Sequence, residues 1–334
     1  MEKIKLAHGS GGKLSQELFQ EVFQKQFSNR FLNEVHDGAI LEIGGCKLAF
    51  STDTFVVNPI FFPGGNIGDL AVNGTVNDIA MCGAKPMYLS AGFILEEGFD
   101  IESLKIIVAS MRKAGDKAGV LLVTGDTKVV ENGSADGIFI NTTGIGLIYE
   151  NVNISPRNAT EGDAVILSGR IADHGIAVMS KRQGLEFETD ILTDSAPLNK
   201  LVEAILEASN EVRVLRDPTR GGIAATLNEI AEAAGKGIFL YEESIPIDKQ
   251  VKAVSSMLGL DPLYIANEGK LLAIVGKDSA DKVLSVMRSR PEGRESAIIG
   301  RVVSEYKGKV VMKTTIGTKR VVDMPSGEQL PRIC

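Results

Sequence analysis

The sequence predicts a mixed α/β fold with two domains and a C-terminal tail. At 334 residues the chain exceeds the size at which one hydrophobic core usually stops growing. Strand and helix patterns alternate up to Tyr149, and they resume after a stretch rich in Asn, Pro and Gly at 150–163. We therefore expect domains at 1–155 and 156–316, followed by a flexible tail at 317–334.

Alternating apolar patterns place the elements of the first domain. The glycine-rich segment HGSGGK is expected to open an amphipathic helix, because apolar residues follow it at helical spacing. A later helix ends at Gly119, since glycine favours the left-handed conformation of a helix end. In order, the predicted elements are a strand at 4–7, the helix from 13, a strand at 47–57, a helix of small residues at 66–86, a strand at 86–95, a helix at 101–119, a buried strand at 120–126 and a strand at 137–149.

The second domain repeats this style of alternation. Its predicted elements are a strand at 164–169, helices at 173–185, 198–210 and 221–235, a strand at 271–275, a helix at 280–290 and a strand at 297–303. From Gly317 the pattern thins, and prolines and glycines discourage regular structure. At ~3.3 Å per extended residue, the last nine steps could span about 30 Å, so such a tail can reach a distant site.

Composition and charge argue against several classes of protein. The net charge is −7 and no basic run is present, whereas nucleic-acid backbones are held by clustered Lys and Arg. The N-terminus lacks an apolar signal segment, and no stretch approaches the ~18 apolar residues that span a bilayer. We therefore expect a soluble protein that binds neither nucleic acid nor membrane.

Three cysteines give a further indication of compartment and chemistry. Cys46, Cys82 and Cys334 are odd in number and widely spaced, which predicts neither a disulfide framework nor a CxxC metal site and favours a reducing cytoplasm. Cys46 and Cys82 have apolar surroundings and are expected in the core. Cys334 is the last residue, and a bare terminal thiol is open to oxidation. It is either an accident of sequence or a reagent.

Four aspartates interrupt or follow apolar segments, each with small residues alongside. They are Asp53 in STD, Asp78 in VND, Asp126 in TGD and Asp217 in RDPTRGG. Carboxylates at strand ends suit Mg²⁺, which takes carboxylate oxygens together with substrate phosphates. Any single aspartate is also explained by turns and helix caps. As a set, the four favour a metal-phosphate site.

Other candidate residues are less specific. The segment GSGGK fails the Walker pattern, yet a glycine-rich loop at a helix N-terminus suits a phosphate as well as a purely structural turn. Lys128 and Glu268 could be ordinary solvated side chains. His8 and His174 have no partner at metal-ligand spacing and are not expected to bind metal.

Several motifs together resemble one family over the whole chain. The segments AHGSGGK, STDTFVVNPIFFPGGNIG, NGTVNDIAMCGAKP, VTGDTKVV, RDPTRGG, NEGKL and the terminal PRIC are similar to those of the hydrogenase maturation family HypE, the carbamoyl dehydratases. This family belongs to the ATP-binding superfamily of aminoimidazole ribonucleotide synthetase, selenophosphate synthetase and thiamin-monophosphate kinase. The resemblance implies a two-domain aminoimidazole ribonucleotide synthetase-like fold, and the PRIC end is specific to the HypE branch.

The resemblance also implies an activity and partners. The carbamoyltransferase HypF would place a carbamoyl group on the sulfur of Cys334, and ATP with Mg²⁺ would drive its dehydration to a thiocyanate. The cyanide would pass to iron on the HypC and HypD scaffold, for the [NiFe] hydrogenase centre. A homodimer formed through the N-terminal sheets, with the nucleotide at that interface, is implied as well.

Site residues follow from the same resemblance. The implied catalytic residues are Cys334, Lys128 and Glu268, with Glu268 the better base where partial burial raises its pKa. The implied metal ligands are the four aspartates named above. The implied nucleotide-binding residues are Gly11, Gly12, Lys13, Thr52, Asn66, Asn77, Thr127 and Thr142. Two alternatives stay open at this point: another ATP-dependent synthetase or kinase of the superfamily, and an ATP-binding scaffold that presents a thiol.

Overall fold

A computed structural model of the protein describes residues 3–34, 36–182, 190–327, 330 and 332–334. It confirms the mixed α/β fold, with helices packed on two large sheets. The strands are β1 (Ala39–Ile43), β2 (Cys46–Phe55), β3 (Phe61–Phe62), β4 (Gly65–Asn66), β5 (Ala84–Glu96), β6 (Leu121–Val130), β7 (Ile138–Ile148), β8 (Ala164–Leu167), β9 (Val212–Arg216), β10 (Gly237–Tyr241), β11 (Leu272–Val275), β12 (Ala297–Val303), β13 (Val310–Lys313) and β14 (Lys319–Val322).

The helices alternate with these strands. A π-helical stretch at Phe19–Gln24 joins the first two of them. They are α1 (Lys13–Leu18), α2 (Lys25–Phe27), α3 (Ile67–Met81), α4 (Ile101–Ala118), α5 (Asp173–Arg182), α6 (Asn199–Ala208), α7 (Gly222–Ala234), α8 (Lys249–Leu258) and α9 (Ala280–Arg288). Among the described residues, no helix combines the length and apolar character needed to cross a membrane.

The two large sheets differ in connectivity. Over the described residues, the first has the strand order β1-β2-β7-β5-β6 and the second has the order β14-β13-β10-β12-β8-β11-β9. In the first sheet β5 and β6 run parallel and the other pairs are antiparallel. Strand β6 is the last in the strand order and forms an edge of this sheet. The helix α3 lies on one face of this sheet and meets the second domain at β9.

Small residues let α3 approach the first sheet closely. A Cβ added at Gly144 or Gly146 of β7 would lie 2.5 Å from the side chain of Ile79 on α3. The helix begins at Asn66, whose Oδ1 accepts a hydrogen bond from the Gly68 backbone N–H at 2.8 Å. This close packing fixes the depth at which the polar residues of α3 lie beside the sheet.

Several local predictions are wrong. Instead of a strand at 4–7, Leu6–Gly9 forms a 3₁₀ turn, because the Lys5 backbone N–H donates to His8 Nδ1 at 2.8 Å. The strand predicted as buried at 120–126 forms as β6, but its side chains are exposed because β6 is an edge strand. Cys46 is exposed since it directly follows a two-glycine turn, whereas Cys82 is buried as predicted.

Described residues after β13 pack against the body of the protein. Strand β14 pairs with β13 inside the segment predicted as tail. Further on, the Pro325 carbonyl accepts a hydrogen bond from the Lys13 backbone N–H at 3.0 Å, and Leu330 and Ile333 are buried. Parts of two predicted segments, residues 183–185 of the helix and residues 328, 329 and 331 of the tail, lie outside the described residues.

Candidate active site at the junction of the two domains

Three of the predicted metal-binding aspartates lie together where α3 meets the second domain. Asp53 comes from β2, Asp78 from α3 and Asp217 from the loop after β9, and each is close enough to affect the ionisation of another. Asp37, which precedes β1, joins them. Two sheets and one helix therefore converge on a single group of carboxylates.

The ionisation of these carboxylates is perturbed by their surroundings. Burial raises the pKa of Asp78 well above its usual range, and the charges of Asp217, Asp53 and Asp37 raise it further. Burial, with the charge of Asp37, also raises the pKa of Asp217 to about 8. Ser51 Oγ donates to Asp78 at 2.7 Å, which offsets only part of this effect. Buried like charges of this kind are stabilised by a cation.

Two residues that sequence reasoning missed hold the group in place. Arg216 Nε lies 2.6 Å from Asp37, and its Nη2 lies 2.7 Å from Glu229 on α7. Burial lowers the pKa of Arg216, but these two carboxylates raise it more, so the guanidinium stays charged. Arg216 belongs to the quoted RDPTRGG motif, whereas Asp37 stands before a glycine and looks like an ordinary turn residue.

Glu268 lies next to the carboxylate group and is 3% exposed. Its backbone N–H donates to Asp194 Oδ1 at 3.0 Å, and its carbonyl accepts from Asn77 Nδ2 of α3 at 3.3 Å. Burial raises the pKa of Glu268 well above its usual range, and Asp53, Asp194 and Asp217 raise it further. The Oδ1 of Asn77 also accepts from the Leu198 N–H at 2.8 Å, so the side-chain amide is held at both ends. Asn77 therefore fixes the position of the loop that carries Glu268.

Arg220 is a cation whose charge acts on both Glu268 and Cys334, and it was not predicted as a site residue. Its Nη1 donates to the Gly9 carbonyl at 3.2 Å. The ionised forms of Cys334, Asp53 and Glu268 would raise its pKa against the effect of burial. Arg220 also lies in the RDPTRGG motif, so the motif pointed to it without assigning a role.

The C-terminal residues are docked along the end of β2. The Val56 N–H donates to a backbone carboxylate oxygen of Cys334 at 3.0 Å, and the Asn58 N–H donates to the Arg332 carbonyl at 3.2 Å. Arg332 returns a hydrogen bond from Nε to the Val56 carbonyl at 2.9 Å and pairs with Asp136 through Nη1. The end of the chain is therefore held by backbone hydrogen bonds against the residues that directly follow β2.

Docking brings the thiol of Cys334 to Glu268. Burial raises the pKa of the thiol above its usual range, the charges of Glu268 and Asp53 raise it further, and Arg220 lowers it. The thiol is therefore protonated near neutral pH in this position. Two of the three predicted catalytic residues, Cys334 and Glu268, lie together beside the aspartates.

The glycine-rich loop lies over the same region. Gly11 and Gly12 have φ angles of +71° and +106°, which favour glycine. A Cβ at Gly11 would lie 2.8 Å from the Arg220 carbonyl oxygen, and one at Gly12 would collide with Pro325. Lys13 is exposed and lies 3.9 Å from Glu17. The glycine-rich loop thus contacts both the backbone of Arg220 and Pro325 in the C-terminal segment.

The predicted residues of β6 lie apart from this group within one chain. Asp126, Thr127 and Lys128 are exposed, and Lys128 Nζ lies 2.6 Å from Asp126. Strand β6 is separated from β2 by β7 and β5, so Asp126 and Asp53 are roughly 14 Å apart at ~4.8 Å per strand.

The remaining predicted nucleotide-binding residues have mixed surroundings. Thr142 is fully buried and donates to the Ala71 carbonyl at 2.7 Å, which anchors β7 to α3. Asn66 caps α3, and its Nδ2 donates to Ser110 at 2.7 Å. Thr52 is exposed on the opposite face of the sheet, 2.8 Å from Thr143 Oγ1. Thr142 and Asn66 therefore use these polar atoms in hydrogen bonds that hold the fold together.

The aspartate group fits Mg²⁺ held jointly with phosphates. Among the described residues, no three His, Cys, Asp or Glu side chains converge with the geometry of a complete metal site. Mg²⁺ commonly binds one or two carboxylates and completes its shell with water and substrate phosphates. The pKa values of Asp78 and Asp217 are raised partly by the neighbouring carboxylates. A bound cation would be stabilised here, because its charge would relieve the repulsion between these carboxylates.

Sequence comparisons identify relatives of both halves of the chain. Residues 35–148 match the profile of the AIR synthase related protein, N-terminal domain, and residues 160–313 match that of the C-terminal domain. Carbamoyl dehydratase HypE of Bradyrhizobium diazoefficiens is 51% identical over 332 residues, which cover 99% of this chain and 96% of that protein.

Solved structures show the same relationship. A structure of the hydrogenase maturation protein HypE in complex with ATP has 50% sequence identity and a TM-score of 0.84, and covers 98% of each chain. A HypE–HypF complex has 50% identity and a TM-score of 0.89, and the match covers 92% of this chain and 99% of that one.

Proposed function

The chain belongs to the HypE family of carbamoyl dehydratases, within the AIR synthase related proteins. On that premise we propose that Cys334 carries the carbamoyl group that the protein dehydrates. The substrate is a carbamoyl group on the Cys334 sulfur, ATP is the co-substrate, and the product is an S-cyanocysteine. The observation that carries the proposal is the docked tail, which puts the thiol of Cys334 beside Glu268 and the aspartate group.

The chemistry requires two proton removals and one phosphoryl transfer. The γ-phosphoryl group of ATP passes to the carboxamide oxygen, which turns that oxygen into a leaving group, and one nitrogen proton is lost. Phosphate then departs as the second nitrogen proton is removed and the carbon–nitrogen triple bond forms. Glu268 is the proposed base, because its charge affects the Cys334 thiol more than that of Asp53 does and its own pKa is raised from the usual range.

Mg²⁺ is proposed as the cation that accompanies ATP. Asp53, Asp78 and Asp217 would hold it, and its charge would neutralise that of the transferred phosphoryl group. Such a cation would also lower the pKa of Glu268 by offsetting the neighbouring aspartates, which leaves more of this carboxylate ionised to accept a proton. Arg220, which faces Cys334 and Glu268, adds a second positive charge at the same point.

A homodimer is part of the proposal, and Asp126 and Lys128 enter through it. The open face of the first sheet exposes large apolar side chains, and β6 is an exposed edge. Pairing of two such faces would bury them. It would also give Asp126, Thr127, Lys128 and Thr52, which lie away from the aspartate group within one chain, a site at the interface.

HypF is the proposed carbamoyl donor, and HypC with HypD is the proposed cyanide acceptor. The first assignment is supported by the solved HypE–HypF complex at 50% identity. The second is implied by the family resemblance, and the chemistry requires only that a protein-bound thiocyanate has an acceptor for its cyanide. A cytoplasmic location fits the unpaired thiol of Cys334, which must stay reduced to act.

Mass spectrometry of the C-terminal peptide tests the proposal directly. Incubation with HypF, carbamoyl phosphate and ATP should first add a carbamoyl group to Cys334 and then remove one water from it. With ATP replaced by a non-hydrolysable analogue after carbamoylation, the carbamoyl form should persist. A superfamily kinase would instead phosphorylate a free metabolite, and a thiol-presenting scaffold would leave the carbamoyl group unchanged, so either result would contradict the proposal.

A further inference from the structure

His174 is a buried side chain that the proposed reaction does not use. It lies at the second position of α5, is fully buried, and meets Phe62 edge to face with the ring centroids 5.5 Å apart. Each ring nitrogen has one close partner: Nδ1 is 2.7 Å from Thr193 Oγ1, and Nε2 is 2.8 Å from the Ile333 carbonyl. Ile333 directly precedes Cys334, so the histidine contacts the peptide unit that carries the thiol.

The partners of His174 fix its tautomer. A carbonyl oxygen only accepts hydrogen bonds, so Nε2 must carry the proton that bonds to Ile333. Nδ1 then accepts from the Thr193 hydroxyl, which in turn accepts from the Ser195 backbone N–H at 3.1 Å. Burial lowers the pKa of His174, which keeps the ring neutral, as this chain of hydrogen bonds requires.

The segment that orients His174 also holds the loop of Glu268. Asp194, between Thr193 and Ser195, is 3.0 Å from the Glu268 N–H through Oδ1 and 3.0 Å from Lys270 Nζ through Oδ2. Residue 269 must be glycine for this contact, because an added Cβ would collide with the Asp194 carbonyl. One short segment therefore connects the docked tail on one side with the proposed base on the other.

We propose that His174 is a positioning residue that holds the docked C-terminal tail through the Ile333 carbonyl, with Thr193 setting its tautomer. Its effect is to place the Cys334 sulfur at a fixed distance from Glu268. The functional meaning of this contact rests on the proposed carrier role of Cys334. The contact itself can be tested without turnover, because docking shields the thiol.

Alkylation of Cys334 measures docking. The protein carries Cys46→Ser to remove the exposed thiol, and iodoacetamide labelling of the C-terminal peptide is followed by mass spectrometry without ATP. Release of the tail exposes the thiol and lowers its pKa, and both effects speed alkylation. Loss of one hydrogen bond should raise the rate about fivefold.

Two matched pairs of variants separate positioning from packing. His174→Met nearly keeps the side-chain volume but removes the hydrogen bond to the Ile333 carbonyl. Thr193→Val also nearly keeps the volume but removes the hydrogen bond to His174 Nδ1 that sets the tautomer. Both variants should speed alkylation. His174→Gln and Thr193→Ser keep a donor or hydroxyl, and both should stay within about twofold of the parent protein. Because Thr193→Val changes little volume, it decides the question if His174→Met folds poorly.

Two results would overturn the inference: unchanged alkylation in Thr193→Val and His174→Met, or equal acceleration in all four variants. A protein with the expected protection pattern and no dehydration of Cys334 would instead contradict the proposed function and leave this contact in place. The two proposals therefore fail in different assays.

Discussion

Replacement of Asp217 by Asn should stabilise the nucleotide-free protein at neutral pH. The pKa of Asp217 is raised from 3.8 to about 8 in the folded chain, mainly by burial and by Asp37. Between these two values the folded state binds a proton that the unfolded state has released, so stability falls as pH rises from about 4 to about 8. Over the roughly three pH units between 3.8 and 7 this costs at most about 4 kcal/mol. Asparagine is neutral at every pH and removes this cost.

Denaturant unfolding between pH 5 and 9 measures this effect, with and without Mg-ATP. The variant should be more stable than the parent at pH 7 without nucleotide, with a flatter pH dependence, and it should gain less from Mg-ATP because one ligand oxygen has lost its charge. Asp116→Asn, in an exposed ion pair 2.9 Å from Arg112, is the control and should change stability by less than about 0.5 kcal/mol. An Asp217→Asn protein that is less stable at pH 7 would refute the stability cost assigned to this carboxylate, and one that is equally stabilised by Mg-ATP would refute the carboxylate group as the cation site.

Three further variants test the remaining roles. Glu268→Gln should bind ATP and accept the carbamoyl group, yet form thiocyanate at least about 100-fold more slowly, because an amide does not take a proton at neutral pH; mass spectrometry of the tail would reassign the base if cyanation were undiminished. Cys334→Ser should fold and bind ATP but carry neither carbamoyl nor cyanide, since a serine hydroxyl stays protonated; cyanide production at the normal level would end the carrier role. Asp126→Asn should weaken Mg-ATP binding in titration calorimetry only while the protein is dimeric, and weakened binding by an isolated monomer would contradict the interface site.

Local motifs predicted the parts of the site, but not which parts meet. The aspartates at 53, 78 and 217 stand beside small residues, and α3 can approach the sheet because Gly144 and Gly146 leave room for it. That packing is readable only once the helix and sheet are paired. Asp126 has the same local pattern as Asp78, yet it lies on an edge strand. Its distance from the others depends on strand order, which no local pattern contains.

Three of the strands that sequence reasoning missed have a related cause, whereas β10 and β13, which it also missed, lie inside the second sheet. Strands β1, β9 and β14 lie at sheet edges, where one side of the strand has no neighbour and charged residues are tolerated. Their apolar alternation is therefore weak. The arginines of RDPTRGG were visible in the sequence, but Arg216 and Arg220 gain their roles only from carboxylates supplied by distant segments.

The contacts that hold the docked tail do not include the sulfur of Cys334, and this has a consequence for a carrier. The backbone oxygens of Arg332, Ile333 and Cys334 each accept a hydrogen bond from the body of the protein. The side chain of Cys334 takes no part in these contacts, so its sulfur can change from thiol to thiocarbamate to thiocyanate without loss of a docking hydrogen bond. Buried Ile333 and Leu330 add apolar contacts that likewise do not depend on the chemical state of the sulfur. Because docking strength should then be nearly the same for the three states, release of the tail to a partner must be driven by the partner's own affinity for the chain end.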